Sequence, residues 1–158
     1  MPKSHASTRT ALLGGILAAL LGAGFAHAAE KQTDKSLYDR LSGVYPIAAG
    51  VDKFVDLLLV NDVLNANPEV KAGWHRVPAP GLKYHLTAMV CRETGGPCEY
   101  TGRSMKASHG HLRINEKEWQ AMMTDLRLVM NNYGVPAKEQ DELMAVVEGT
   151  KKETVVTK

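Results

Sequence analysis

From Pro46 onward the apolar residues fall at steps of three and four. Ile47, Val51, Phe54, Val55, Leu58 and Leu59 trace one face of a helix of about four turns. The same spacing returns in Leu82, Leu86 and Met89, then in Trp119, Met122, Met123, Leu126, Val129, Met130 and Tyr133, and finally in Leu143, Val146 and Val147. No credible run alternates apolar and polar residues, which a half-buried strand requires. A chain written this way folds as an all-α domain.

The punctuation agrees. Leu37 to Leu41 makes a short helix ending at Gly43, and Pro46 suits a first turn. The second helix runs out at Asn61-Asp62 or in Asn65-Ala66-Asn67-Pro68. Pro68, Gly73, Pro78, Pro80 and Gly81 then mark residues 67–81 as the least regular part, with Trp74 inside it as a core anchor or a shield over a pocket. The next helix starts near Gly81 and stops at Gly95-Gly96-Pro97. Asn115 and Glu118 have the spacing of a capping box. Gly134 and Pro136 separate the last two helices, and Lys151 to Lys158 reads as a loose tail.

Of the 158 residues, the first 28 read as an export signal. Lys3 and Arg9 give a positive start, Ala11 to Phe25 is apolar, and Ala26-His27-Ala28 is a small-x-small cleavage site. The expected division is therefore a signal peptide over 1–28 and one domain over 29–158, periplasmic or secreted. The apolar run is short for a membrane span, so cleavage after Ala28 is expected, with an uncleaved anchor as the alternative, and the mature chain is expected not to insert. Without Lys3 and Arg9 the 19 basic and 17 acidic residues become 17 of each, and a formally neutral domain argues against nucleic acid as a partner. Cys91 and Cys98 would suit a disulfide in an oxidising compartment, but two free thiols fit the spacing equally. No C-x-x-C-H motif is present, so any haem is expected to be non-covalent. Motifs of serine hydrolases, zinc proteases and P-loop enzymes are also missing.

Chemistry concentrates between the two long helices, in Tyr100-Thr101-Gly102-Arg103-Ser104-Met105-Lys106-Ala107-Ser108-His109-Gly110-His111. A neutral imidazole in such a short segment can offer one nitrogen to a haem iron. His109 shares a helical face with Met105, so it is the better candidate, with His111 at the surface or behind it. His85 lies on the otherwise apolar face of Leu82, Leu86 and Met89. It needs a partner there, either a haem iron, a propionate or a neighbouring carbonyl.

Leu37-Tyr38-Asp39-Arg40-Leu41, the Phe54 helix, Thr94-Gly95-Gly96-Pro97, Tyr100-Thr101-Gly102-Arg103-Ser104-Met105 and His109 together resemble a group 1 truncated haemoglobin over residues 36–150. The resemblance implies a two-over-two helical sandwich, haem b held by His109, and a pocket that includes Tyr100, Met105, Phe54, Leu82, Leu86 and Met89. It also implies a diatomic gas ligand (O2, NO or CO), an electron donor, and at most slow nitric oxide or peroxide chemistry, of a dioxygenase or peroxidase kind. On the distal side this chain departs from the family. Val55 stands where the usual ligand-stabilising tyrosine would be, Leu86 at the usual distal glutamine, and Leu82 near the haem edge. Such a wall gives a partly negative dioxygen ligand no polar donor. His85 matches a histidine that coordinates iron in some cyanobacterial members. The alternative is thus a bis-histidine haem protein for electron transfer or for redox or gas sensing. A third reading is a helical binding module that kept the fold and lost haem.

Overall fold

The computed structural model describes residues 35–156. The expected export signal over 1–28, and with it the start of the domain at 29, lies outside them. Nine helices follow one another within that span: α1 Leu37–Arg40, α2 Val44–Val60, α3 Asp62–Asn65, α4 Pro68–Arg76, α5 Ala79–Glu93, α6 Met105–His109, α7 Glu116–Asn132, α8 Ala137–Glu148 and α9 Lys151–Thr154. Helix α2 packs on both α5 and α7, while α8 packs on α7 and α1. The pair α2/α5 thus lies over the pair α7/α8, a two-over-two helical sandwich, as the periodicity and the resemblance led one to expect.

The apolar stripes fill the space between the pairs. Phe54, Leu58 and Val129 join Leu64 and Val70 in one cluster, and Leu37, Met130 and Leu143 form a second. Trp119, Val55 and Cys91 are the most completely buried side chains. The Asn115–Glu118 capping box opens α7 as its spacing predicted. Arg40 donates to Glu139 and Glu142, tying α1 to α8.

Three expectations need correction. Residues 67–81 are largely helical, because the Asn67 side chain accepts the N–H groups of Glu69 and Val70 and Pro68 takes the first helical position. Asn-Pro is a start signal here and not a break. Asn61 likewise caps α3 immediately after ending α2. The tail is not loose up to Val156: α9 forms, and the Val156 N–H donates to the Ile114 carbonyl at 2.9 Å. Tyr133 leaves the buried stripe. It caps the C-terminus of α7, is 51% exposed, and donates its hydroxyl to the Ala49 carbonyl.

Cys91 and Cys98 are joined as a disulfide, with their α-carbons 5.8 Å apart. The bridge crosses the turn after α5, where Gly95 adopts φ +89°. Gly96 has no room for a side chain there, since a Cβ would sit 2.5 Å from the Tyr38 ring and 2.7 Å from Cys91 Sγ. Closing so short a loop removes unfolded-state entropy worth about 2–3 kcal/mol. The Cys91→Ala/Cys98→Ala double variant is expected to melt about 5–15 °C lower by circular dichroism. A thiol reductant should reproduce the shift in the parent and leave the variant unchanged.

Candidate functional site

A cavity of about 1130 Å3 opens between α2, α5, α6 and α7. This is somewhat larger than ordinary ligand pockets, about 300–1,000 Å3, and its lining extends to α4 and α8. Its lining is dominated by apolar side chains. From α2 come Val51, Phe54 and Leu58, and from α5 Leu82, Leu86 and Met89. The facing side brings Met105, His109, Leu112 and Met122, and Trp74 closes one flank while donating its indole N–H to Asn65. Trp74 therefore serves both as a packing residue and as pocket wall. Val55, expected to face a ligand, lies instead in the core with no exposure, in the cluster that Leu82 and Leu86 pack against. The α2 wall is apolar as expected, but Val51, Phe54 and Leu58 supply it.

His109 ends α6, a helix opened by the Ser104 hydroxyl, which accepts the Ala107 N–H. Its Nδ1 lies 3.1 Å from the Met105 carbonyl. Donation from Nδ1 to that carbonyl fixes the ring and leaves a lone pair on Nε2. Burial, opposed by the Met105 hydrogen bond and aided by His111, pushes the His109 pKa below its ordinary value. A lowered folded-state pKa costs stability only as pH falls through the ordinary value of about 6.5, so the neutral ring prevails at pH 7. His111 is exposed at the cavity margin, in keeping with a secondary place.

His85 lines the same cavity from α5. Its Nδ1 is buried with no hydrogen-bond partner. The Tyr100 ring meets it edge-on at 6.2 Å, and the Arg92 guanidinium covers Tyr100 at 5.0 Å. Tyr100 itself is fixed: its hydroxyl donates to the Arg103 carbonyl at 2.6 Å, and its ring lies over Gly102, where a Cβ would come within 2.4 Å.

One network had no signal that sequence reasoning recognised. Asn67 Nδ2 donates to the Leu112 carbonyl at 3.0 Å and to Glu118 Oε2 at 3.1 Å, so the cap of α4 also holds the segment after His109. Asn67 and Glu118 are both buried.

An apolar cavity lined by two imidazoles, one braced by a carbonyl and the other carrying an orphaned buried nitrogen, fits a planar apolar cofactor with a metal at its centre. The profile of the bacterial-like globins matches residues 36–156. The chain belongs to that family. A group 1 truncated haemoglobin of Synechocystis sp. is 28% identical over 115 residues, covering 70% of this chain and 88% of the relative. Another, from Chlamydomonas moewusii, is 26% identical over 127 residues, 79% of this chain and 71% of the relative. The fold is shared with the truncated haemoglobin of Tetrahymena pyriformis, whose Fe(III) form superposes with a TM-score of 0.65 at 21% identity over 78% of this chain and all of that one. The 2/2 haemoglobin of Synechococcus sp., solved in a cyanomet state with covalently attached haem, gives 0.63 at 22% identity over 77% and 98%. This globin is thus of the truncated, group 1 kind that its sequence resembled, and its family implies haem and a diatomic gas ligand.

Proposed function

We propose that this globin is an exported haem-b protein that binds small diatomic ligands, with His109 as the proximal ligand. The observation that carries the reading is the His109 ring, braced through Nδ1 by the Met105 carbonyl and set in the wall of the apolar cavity. A ligating histidine is ordinarily held by such a hydrogen bond. Phe54, Leu82, Leu86, Met89 and Met105 would enclose the ring of the cofactor, and Tyr100 would support His85. Haem supplies an iron whose sixth position can take dioxygen, nitric oxide or carbon monoxide.

The cysteines are bonded to each other, which speaks against haem attachment through a thiol. The disulfide also supports export, because such bonds persist in oxidising compartments. Among the described residues no helix is long and apolar enough to cross a membrane.

A second reading rests on His85. Its buried Nδ1 has no hydrogen-bond partner among the described residues, so its ring is held by the edges of Tyr84 and Tyr100 and by no hydrogen bond at that nitrogen. An unbraced ring is the weaker of two ligands. His85 would then serve as a displaceable second ligand to a bound haem iron, or as the hydrogen-bond donor that the apolar wall lacks. Slow nitric oxide or peroxide turnover would follow, since each substrate must first displace it.

The ferric protein reconstituted with haem is expected to show low-spin absorption bands that become high-spin in His85→Ala. A high-spin spectrum unchanged by that substitution would remove His85 from the iron and leave the gas-binding reading. Failure of the parent to take up haem would overturn both.

A further inference from the structure

The charges of this globin are balanced overall but not in space. Residues 68–114, which run from α4 through α5 and α6 to the start of α7, carry seven Lys or Arg against three Asp or Glu. The other described residues, 35–67 and 115–156, carry eight against twelve. The haem-facing segment is thus positive by four charges and the remainder negative by four. Two haem propionates would offset half of that excess.

Pairing does not dissolve the difference. Lys83 is held by Asp52 and Asp56, and Arg92 by Glu93. Lys71, Arg76, Arg103, Lys106 and Arg113 are all exposed and form no ion pair among the described residues. They lie on α4 and on residues 103–113, two stretches that both contribute to the cavity wall. Arg76 and Arg103 line the cavity from α4 and from the segment before α6. Helix α4 is joined to the segment after α6 where Asn67 holds Leu112 and where the Leu112 side chain lies against Gly73. Lys106 and Arg113 flank His109 in sequence. The acids near this rim are Glu69 on α4, Glu93, which lines the cavity and pairs with Arg92, Glu99 before Tyr100, and Glu153, whose Oε2 accepts the Lys106 backbone N–H. Val77, 46% exposed beside Arg76 at the cavity margin, adds apolar surface to it.

We infer that this cationic rim is the docking surface for an acidic one-electron carrier protein. The inference rests on the haem reading above. A ferric iron must gain one electron before it binds dioxygen, and the carrier that supplies it is oxidised by one electron in the exchange. A carrier seated on Lys71, Arg76, Arg103, Lys106 and Arg113 approaches the cavity where it opens, which is the shortest route to its contents. Opposite charge steers encounter and orients the partner, while the small apolar centre supplies contact area.

The test uses reduced plant-type ferredoxin, an acidic iron–sulfur carrier, against the ferric haem-loaded protein in stopped flow. The second-order reduction rate is expected to fall at least about tenfold between low and high salt. It should fall about tenfold at low salt in the Lys71→Glu/Lys106→Glu variant, whose substitutions lie outside the cavity lining. Reduction of the same variant by the methyl viologen radical cation should be undiminished, which separates lost docking from lost redox competence. Rates indifferent to salt and to the variant overturn the proposal. So does a variant that loses binding to phosphatidylserine vesicles while keeping its rate with ferredoxin, because the rim then serves a lipid surface. Amide shifts of the isotope-labelled protein, titrated with oxidised ferredoxin without added haem, report on the rim even where haem uptake fails. Shifts confined to α4 and residues 103–113 support docking, and shifts absent or scattered overturn it.

Discussion

His109→Ala is expected to weaken haem binding by more than about a hundredfold. Loss of an outer hydrogen-bond partner to a metal ligand already costs about 10–100-fold, and here the ligand itself goes. The cavity wall stays apolar, so the variant should still take up haem weakly through burial, with a spectrum unlike that of the parent. A hundredfold weaker ligand also stabilises the fold by about 2.7 kcal/mol less at saturating haem. The melting temperature with haem should therefore drop toward the haem-free value, while the haem-free melting temperature barely moves. Transfer of haem to an excess of apomyoglobin measures the first effect, and thermal melts with and without haem the second. Added imidazole should restore much of the parent spectrum in His109→Gly, because the small ligand can enter the space of the lost ring. Transfer at the parent rate in His109→Ala would mean that another residue holds the iron.

What sequence reading reached was set by how local each signal is. The stripe from Trp119 to Met130, the capping box of Asn115 and Glu118, and the glycine stop at Gly95 are all written within a few residues, and each appears in the fold. His109 and Met105 were paired by helical spacing, and the structure joins them by a hydrogen bond. The misses involve a local signal with two meanings, or a contact across the chain. Asn67-Pro68 serves equally as an end and a beginning, and only the packing of Val70 and Trp74 against the core cluster of Phe54 and Leu58 decides for a helix. The tail gave no apolar stripe, yet the Ile114 carbonyl fixes Val156 from more than forty residues away. Val55 and Phe54 are adjacent, and a helix turns about 100° between them. Which of the two faces the cavity depends on how α2 rolls against α5 and α7.

Asn67→Ala is expected to destabilise the fold by about 2–4 kcal/mol, a large loss for one polar side chain. The Asn67 oxygen accepts from Glu69 and Val70, and removing such a cap costs about 1 kcal/mol. Its nitrogen donates to the Leu112 carbonyl and to Glu118, and depriving buried acceptors of a donor costs about 1–3 kcal/mol more. Asn67→Ser separates the two contributions, because serine keeps the cap and cannot reach both acceptors. It should recover about 1 kcal/mol and no more. Asn67→Asp keeps the cap as well, but it sets a second carboxylate beside Glu118 and should be no better than alanine at neutral pH. Urea unfolding of the haem-free proteins orders the three variants. A loss under about 1 kcal/mol in Asn67→Ala would reduce Asn67 to an exposed cap. The consequence for the site follows from the chain: the Leu112 N–H donates to the His109 carbonyl at 2.8 Å, so releasing Leu112 loosens the backbone that carries the proximal imidazole. In the ferrous haem protein the iron–imidazole stretching band should therefore broaden or shift in Asn67→Ser. It should stay in place in Leu37→Ala, a comparable loss of stability at a residue outside the cavity lining, in a core cluster of α1, α7 and α8 that holds neither His109 nor Leu112.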